Sequence, residues 1–227
     1  MQVKVIKQLL PSSEESGKMD MPIVLMPIDE LRPHEKGLPI YLEILKQEIL
    51  RDGMIKYPLI ADENTHVILD GMHRWLALKS LGYSLIPCML VRSDQKRQIR
   101  VGKRRIDQYK LDATQGITVD DVISAGLSGN LLKPRSTRHF FPFSKYRKVN
   151  CPLNLLRRRS PRGVSAYLAS TSKKESYLAV KEWLEELSEE LEFLEKRKSE
   201  VEREKEDFQK RISNFADLSR YSVPSNG

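Results

Sequence analysis

The stretch HVILDGMHRWLALKSLG, residues 66–82, decides how this chain is read. It opens with an apolar run of strand length, and Gly71 lets the backbone turn sharply off that strand. Beyond the turn the period changes: Trp75, Leu78 and Leu81 bury one side of a helix that Gly82 ends. A strand that turns through glycine into a helix leaves free backbone N–H groups and the positive end of the helix dipole at the turn, which together suit an anion. His73 and Arg74 can add donors to phosphate oxygens there, while Asp70 can hold a metal ion or fix the turn.

Upstream, YPLIA at 57–61 is a strand that the turn-forming DENT joins to HVIL at 66–69, so the two make a hairpin. Leu38, Leu42, Leu45 and Ile49 give residues 38–52 one apolar helical face, with Gly53 as its stop. IVLMPI at 23–28 is a further strand, and Pro33 keeps Arg32 extended, so RPHEKG is an ordered loop before that helix. Downstream, LIPCMLV at 85–91 closes the unit. The order is strand, helix, two strands, helix, strand: an α+β fold with a small mixed sheet over residues 23–91, preceded by an arm or strand at 1–22.

Charge is divided unevenly along the rest. Residues 1–91 carry 10 Lys/Arg against 12 Asp/Glu, but 92–110 carry 8 against 2 and 133–162 carry 10 against none. Such blocks attract polyanions, so non-specific DNA is a candidate partner for both. Residues 92–150 are expected to form a basic connection with a short helix at 118–129, capped by Thr118 and ended by Gly129, and 151–176 a basic linker. From 177 to 216 the pattern is a coiled coil. Val180, Leu184, Leu187, Leu191, Leu194, Val201, Phe208, Ile212 and Phe215 keep a 4-3 spacing, with Lys198 and Lys205 at two a positions, which predicts a homodimer through 180–215. Residues 217–227 are expected to be a disordered tail.

Cys88 and Cys151 match no metal or redox spacing, and no signal peptide or bilayer-spanning run is present, so a soluble cytoplasmic protein with no membrane role is expected. Cys88 lies inside an apolar strand and reads as a core residue rather than a nucleophile.

The strand-DG-x-HRWxALKxLG pattern resembles the signature of the ParB/sulfiredoxin superfamily, which includes partition proteins, sulfiredoxins and free serine kinases. Two further segments, LRPHE at 31–35 and KPRSTRHFFPF at 133–143, resemble those of the archaeal free serine kinases, which phosphorylate the hydroxyl of free L-serine. The resemblance spans about residues 23–145. It implies a nucleotide-dependent phosphotransferase with ATP or ADP as donor, Mg²⁺ as cofactor and a small hydroxyl compound as acceptor. It nominates Glu35 as general base and His139 as a second catalytic residue. Asp70, Gly71, His73 and Arg74 would hold nucleotide phosphates, with Asp70 also the metal ligand; His34, Thr137 and Arg138 would bind substrate. The alternative is a ParB-like, nucleotide-responsive DNA-binding protein dimerised by its coiled coil.

Overall fold

The computed structural model describes residues 4–5, 22–93, 99–102, 116–170 and 173–220. The chain divides into a body, up to Leu178, and a helical unit from Ala179. The fold is α+β. In the body, β1 (Lys4–Val5), β2 (Ile23–Pro27), β4 (Leu59–Asp62), β5 (Ile68–Asp70) and β6 (Leu85–Val91) form one mixed sheet in the order β1-β2-β6-β4-β5. Only β4 and β6 are parallel; β2 lies antiparallel to β6 with Val24 opposite Cys88. α1 (Pro39–Asp52) and α2 (Met72–Ser80) pack on each other, and Gly53 and Leu81 cap their C-terminal ends.

The hairpin turn expected at DENT forms around one carboxylate. Asp62 is buried; its Oδ2 accepts from the backbone N–H groups of Asn64 and Thr65 and from the Thr65 hydroxyl, while its Oδ1 accepts from Ser93. Burial alone would raise the Asp62 pKa, but these donors hold it below the usual value. α2 differs from the one-sided helix read in the sequence. Met72, Trp75, Leu76, Ala77 and Leu78 are all buried and Leu81 only partly so, because α2 lies between the sheet, α1 and a C-terminal segment. Trp75 anchors it, donating Nε1–H to the Ile28 carbonyl at 2.8 Å and meeting the Tyr167 ring edge-on at 5.0 Å.

That Tyr167 contact corrects the expected linker at 151–176. β9 (Cys151–Pro152) pairs with β3 (Met54–Ile55), a 3₁₀ helix follows at Leu153–Leu156, and Cys151, Leu156 and Val164 are buried. Arg162 and Lys79 both bind Asp29, and Arg162 donates to the Tyr83 carbonyl at 2.9 Å. A second 3₁₀ turn, Ser165–Tyr167, leads to Leu168, which bridges to Gly37. The segment looked like a linker because its few apolar anchors are scattered among arginines with no period.

The short helix expected at 118–129 is α3 (Val119–Ser128), with a Thr118–Asp121 capping box and Gly129 beyond it. The rest of the 92–110 block lies outside the described residues except Arg92, Ser93, Ile99 and β7 (Arg100–Gly102), which pairs with β8 (Arg138–Phe140). The expected coiled-coil segment is one helix, α4 (Lys173–Arg220), longer at both ends than residues 177–216. Residues 217–220 of the expected tail are thus helical, and 221–227 lie outside the described residues, as does most of the 1–22 arm. No helix among the described residues is long and apolar enough to cross a membrane.

Candidate active site

Two glycines bring the site's backbones together. Gly71, the N-cap of α2, has φ 95°, and a Cβ there would lie 2.7 Å from the Arg74 guanidinium. A Cβ on Gly37 would lie 2.3 Å from Leu76 Cδ1, so a side chain would push the PHEKG loop off α2. That loop is also tied on both sides by main chain. Arg32 N–H donates to the His66 carbonyl and the Arg32 carbonyl accepts from Ile68 N–H, Leu132 N–H donates to the His34 carbonyl, and Lys36 N–H donates to that of Leu132. The KPRSTRH segment therefore enters beside the PHE residues.

A short chain of polar contacts results. His34 Nδ1 lies 2.6 Å from the Ile68 carbonyl and Nε2 lies 2.8 Å from Thr137 Oγ1, which is 3.2 Å from Glu35 Oε2. Proton counting constrains it. A carbonyl only accepts, so His34 Nδ1 carries hydrogen; burial lowers the His34 pKa to about 4, so the ring is neutral and Nε2 must accept. The single Thr137 hydroxyl proton serves either His34 Nε2 or Glu35. When Glu35 is protonated it donates to Thr137, Thr137 donates to His34, and every group is satisfied. When Glu35 is ionised the hydroxyl turns to it.

Burial raises the Glu35 pKa to about 7, against the pull of Thr137, the backbone N–H groups of Thr137 and Ser136, and the Arg135 charge. A carboxyl that exchanges its proton near neutrality is suited to general-base work. Arg135 has φ 55°, an uncommon conformation for a residue with a side chain.

Deeper in, His139 is 5% exposed and stands edge-on to His34 at 5.5 Å. Burial and then the neighbouring His34 lower its pKa to about 3. One ring nitrogen bonds the Leu69 carbonyl, and the buried Nε2 has no hydrogen-bond partner among the described residues, so it offers an acceptor. His139 is therefore a neutral group rather than a cation.

At the glycine turn, Asp70 holds two cations: Arg74 Nη2 at 2.6 Å and Lys145 Nζ at 2.8 Å. Burial would raise the Asp70 pKa, but Arg74 and Lys145 outweigh it and hold it low. Arg74 also donates to the Tyr57 carbonyl at 3.0 Å. His73 Nε2 accepts the Leu38 backbone N–H at 2.9 Å; burial, then Arg135, lower its pKa to about 4. Both side chains thus brace the turn. The start of α2 has no side-chain cap and no acidic residue in its first turn, so its backbone N–H groups and dipole are the anion-facing feature.

Asp70 does not fit a metal-ligand role in this arrangement, since both oxygens are taken by cations and no group of three or more His, Cys, Asp or Glu able to hold a metal ion occurs among the described residues. Neither thiol is reactive: burial pushes Cys88 up to about 12 and Cys151 up to about 11.

The site thus gathers His34, Glu35, Thr137 and His139 beside the braced turn of Asp70, Gly71, His73 and Arg74. Arg138 alternates with His139 along β8, so it leaves on the opposite face. Lys145 was not singled out in the sequence, where it is one cation in a basic run; no local signal marks it. Arg135 lay within a quoted motif, but only its place beside Glu35 and His73 gives it weight.

A solved free serine kinase in complex with AMP superposes with a TM-score of 0.51 at 16% identity, covering 64% of this chain and 98% of that one. The fold is that of the free serine kinases. It is the ParB/sulfiredoxin-like arrangement that the DG-x-HR segment resembled. Among curated proteins, an ATP-dependent L-serine kinase of Staphylothermus marinus is 35% identical over 72 residues, 30% of this chain and 29% of that protein. A ParB-like protein of Sulfolobus acidocaldarius is 44% identical over 64 residues, 27% of this chain and 31% of that protein. The chain thus spans less than a third of the length of either curated relative. No protein-family profile matches it.

Proposed function

We propose that the body is a phosphotransferase that moves a phosphoryl group from ATP or ADP to the hydroxyl of L-serine or a similar small molecule. The observation that carries this reading is Glu35, a carboxyl with a pKa of about 7 on a loop fixed beside an uncapped helix start. In this scheme the nucleotide phosphates lie at the start of α2, and the acceptor hydroxyl lies between Glu35 and the terminal phosphate. As the new O–P bond forms and the bond to the nucleotide breaks, Glu35 takes the hydroxyl proton. Thr137 orients the carboxylate, and His139 Nε2 accepts from a donor of the bound substrate. Phosphoryl transfer needs mainly positioning and charge neutralisation, which these groups and the neighbouring cations supply. Magnesium, the cofactor the resemblance implies, would neutralise phosphate charge; the described residues supply no cage of three or more His, Cys, Asp or Glu for it. The serine kinase names of the relatives support the acceptor class.

The test is transfer from ATP or ADP to L-serine, with O-phosphoserine read by mass spectrometry. Glu35→Gln is expected to lower the rate by about 10²–10⁴-fold without loss of folding. No product with either nucleotide across a panel of hydroxyl acceptors would overturn the proposal.

A second reading, nucleotide-responsive DNA binding, rests on the basic blocks 92–110 and 133–162, in which Arg157, Arg158 and Arg159 are exposed. It requires retention on DNA that falls steeply with added salt. We further propose a homodimer through 180–215, supported by the exposed apolar seam of α4.

A further inference from the structure

The seam of α4 carries information about its partner beyond its apolar spacing. Its a positions are Leu184, Leu191, Lys198, Lys205 and Ile212, and its d positions are Val180, Leu187, Leu194, Val201 and Phe208. Leu184, Leu191, Val201, Phe208 and Ile212 are all exposed on the single chain. Flanking them, the g positions read Trp183, Glu190, Arg197, Glu204 and Arg211, and the e positions read Lys181, Ser188, Glu195, Glu202 and Gln209. From Glu190 on, the g positions thus alternate in sign, whereas the e positions beyond Lys181 carry no cation.

In a parallel, in-register dimer each a residue faces its own copy. Lys198 would meet the partner's Lys198, Lys205 would meet the partner's Lys205, and Glu190 would face the partner's Glu195. Like charges so placed oppose association. An antiparallel pair sets a against d and g against g. In the register that puts Lys198 opposite the partner's Val201, Lys205 falls opposite the partner's Leu194, Leu191 opposite the partner's Phe208 and Leu187 opposite the partner's Ile212. The lysine stems then lie on apolar side chains, and their ammonium groups reach the partner's Glu202 and the partner's Glu195, which offsets the approach of Glu195 to the partner's Glu202 on that flank. On the other flank Arg197 meets the partner's Glu204, and Glu190 meets the partner's Arg211. A slip of one heptad either way brings arginine to arginine and glutamate to glutamate along the same flank.

We propose that α4 binds a second copy of this chain as an antiparallel coiled coil in this one register. The inference rests on the reading of the seam as self-associating, but not on the catalytic reading. At a rise of 1.5 Å per residue, the two copies of residue 181 then lie about 55 Å apart.

The test uses the full chain with a spin label at Lys181→Cys; Cys88 and Cys151 are both buried. The expected label separation is about 55 Å in a dimer; a parallel dimer would give under about 20 Å and overturn the orientation. A second measurement leaves the apolar seam intact. Glu190→Arg/Glu204→Arg makes all four charged g positions cationic, which should weaken self-association at least about tenfold in the antiparallel register. Mixing that chain with Arg197→Glu/Arg211→Glu should restore pairing. In a parallel dimer the first variant would instead tighten association, because the arginine at 190 would face Glu195 of the partner subunit while that at 204 would face the partner's Gln209, which is uncharged, and this would refute the proposal. A wild-type chain that sediments as a monomer would sink the self-association reading itself, and an assembly larger than a dimer would overturn the two-stranded form.

Discussion

Apolar side chains meet opposite fates in the body and in the terminal helix. In α2 a nine-residue helix buries Met72, Trp75, Leu76, Ala77 and Leu78, with Trp75 1% exposed. α4 runs for 48 residues, yet Leu191 stays 59% exposed and Phe208 64% exposed. The difference lies in what surrounds each helix. α2 is enclosed by the sheet, α1 and the returning segment through Tyr167, so its stability is internal to one chain. Under the proposed pairing the seam of α4 gains its burial from a second helix, so its stability would depend on protein concentration.

Three substitutions can break or sharpen that contrast. The largest effect is expected from Trp75→Ala, which removes the ring packed on Tyr167 and the bond to Ile28. It should destabilise the body by about 3–5 kcal/mol in denaturant or thermal unfolding, while leaving helix pairing intact where the body remains folded. A loss under about 1 kcal/mol would mean that the C-terminal return does not close the core. Next, Leu191→Ala should weaken self-association by about 2–5 kcal/mol by sedimentation and leave the unfolding midpoint of the body unchanged. If both properties moved together, the two units would not be independent.

The smallest effect is Thr137→Val, read in the pH dependence of transfer. Glu35 must be ionised to accept a proton, so the rate should rise with pH through about 7 in the wild type. The Thr137 hydroxyl stabilises the ionised form, so its loss moves the Glu35 pKa, and with it the rising limb, to higher pH. A limb that stayed in place would remove Glu35 as the titrating base.

What could be read in advance follows the range of the interactions. The glycine turn was legible because strand, Gly71 and helix are adjacent in sequence, and their steric requirements are local. The capping box of α3 and the end of α1 at Gly53 were legible for the same reason. The linker expectation at 151–176 failed where burial depends on partners far along the chain: Cys151 beside Ile55, Tyr167 on Trp75, Arg162 on Asp29. The site divides similarly. Glu35, His34, Thr137 and His139 were nominated through a resemblance between separated motifs, whereas Lys145 carries no local mark and gains a role only by reaching Asp70.

The sequence by itself determined the order of elements, the turn that bares the start of α2 and the heptad seam, because periodicity and backbone sterics act over a few residues. Only the tertiary structure decided protonation. The Ile68 carbonyl fixes the proton on His34 Nδ1, so Nε2 accepts from Thr137, 103 residues away, while burial keeps His34, His73 and His139 neutral and lifts the Glu35 carboxyl toward neutrality. Desolvation depends on everything packed around a group, and no stretch of sequence encodes that alone.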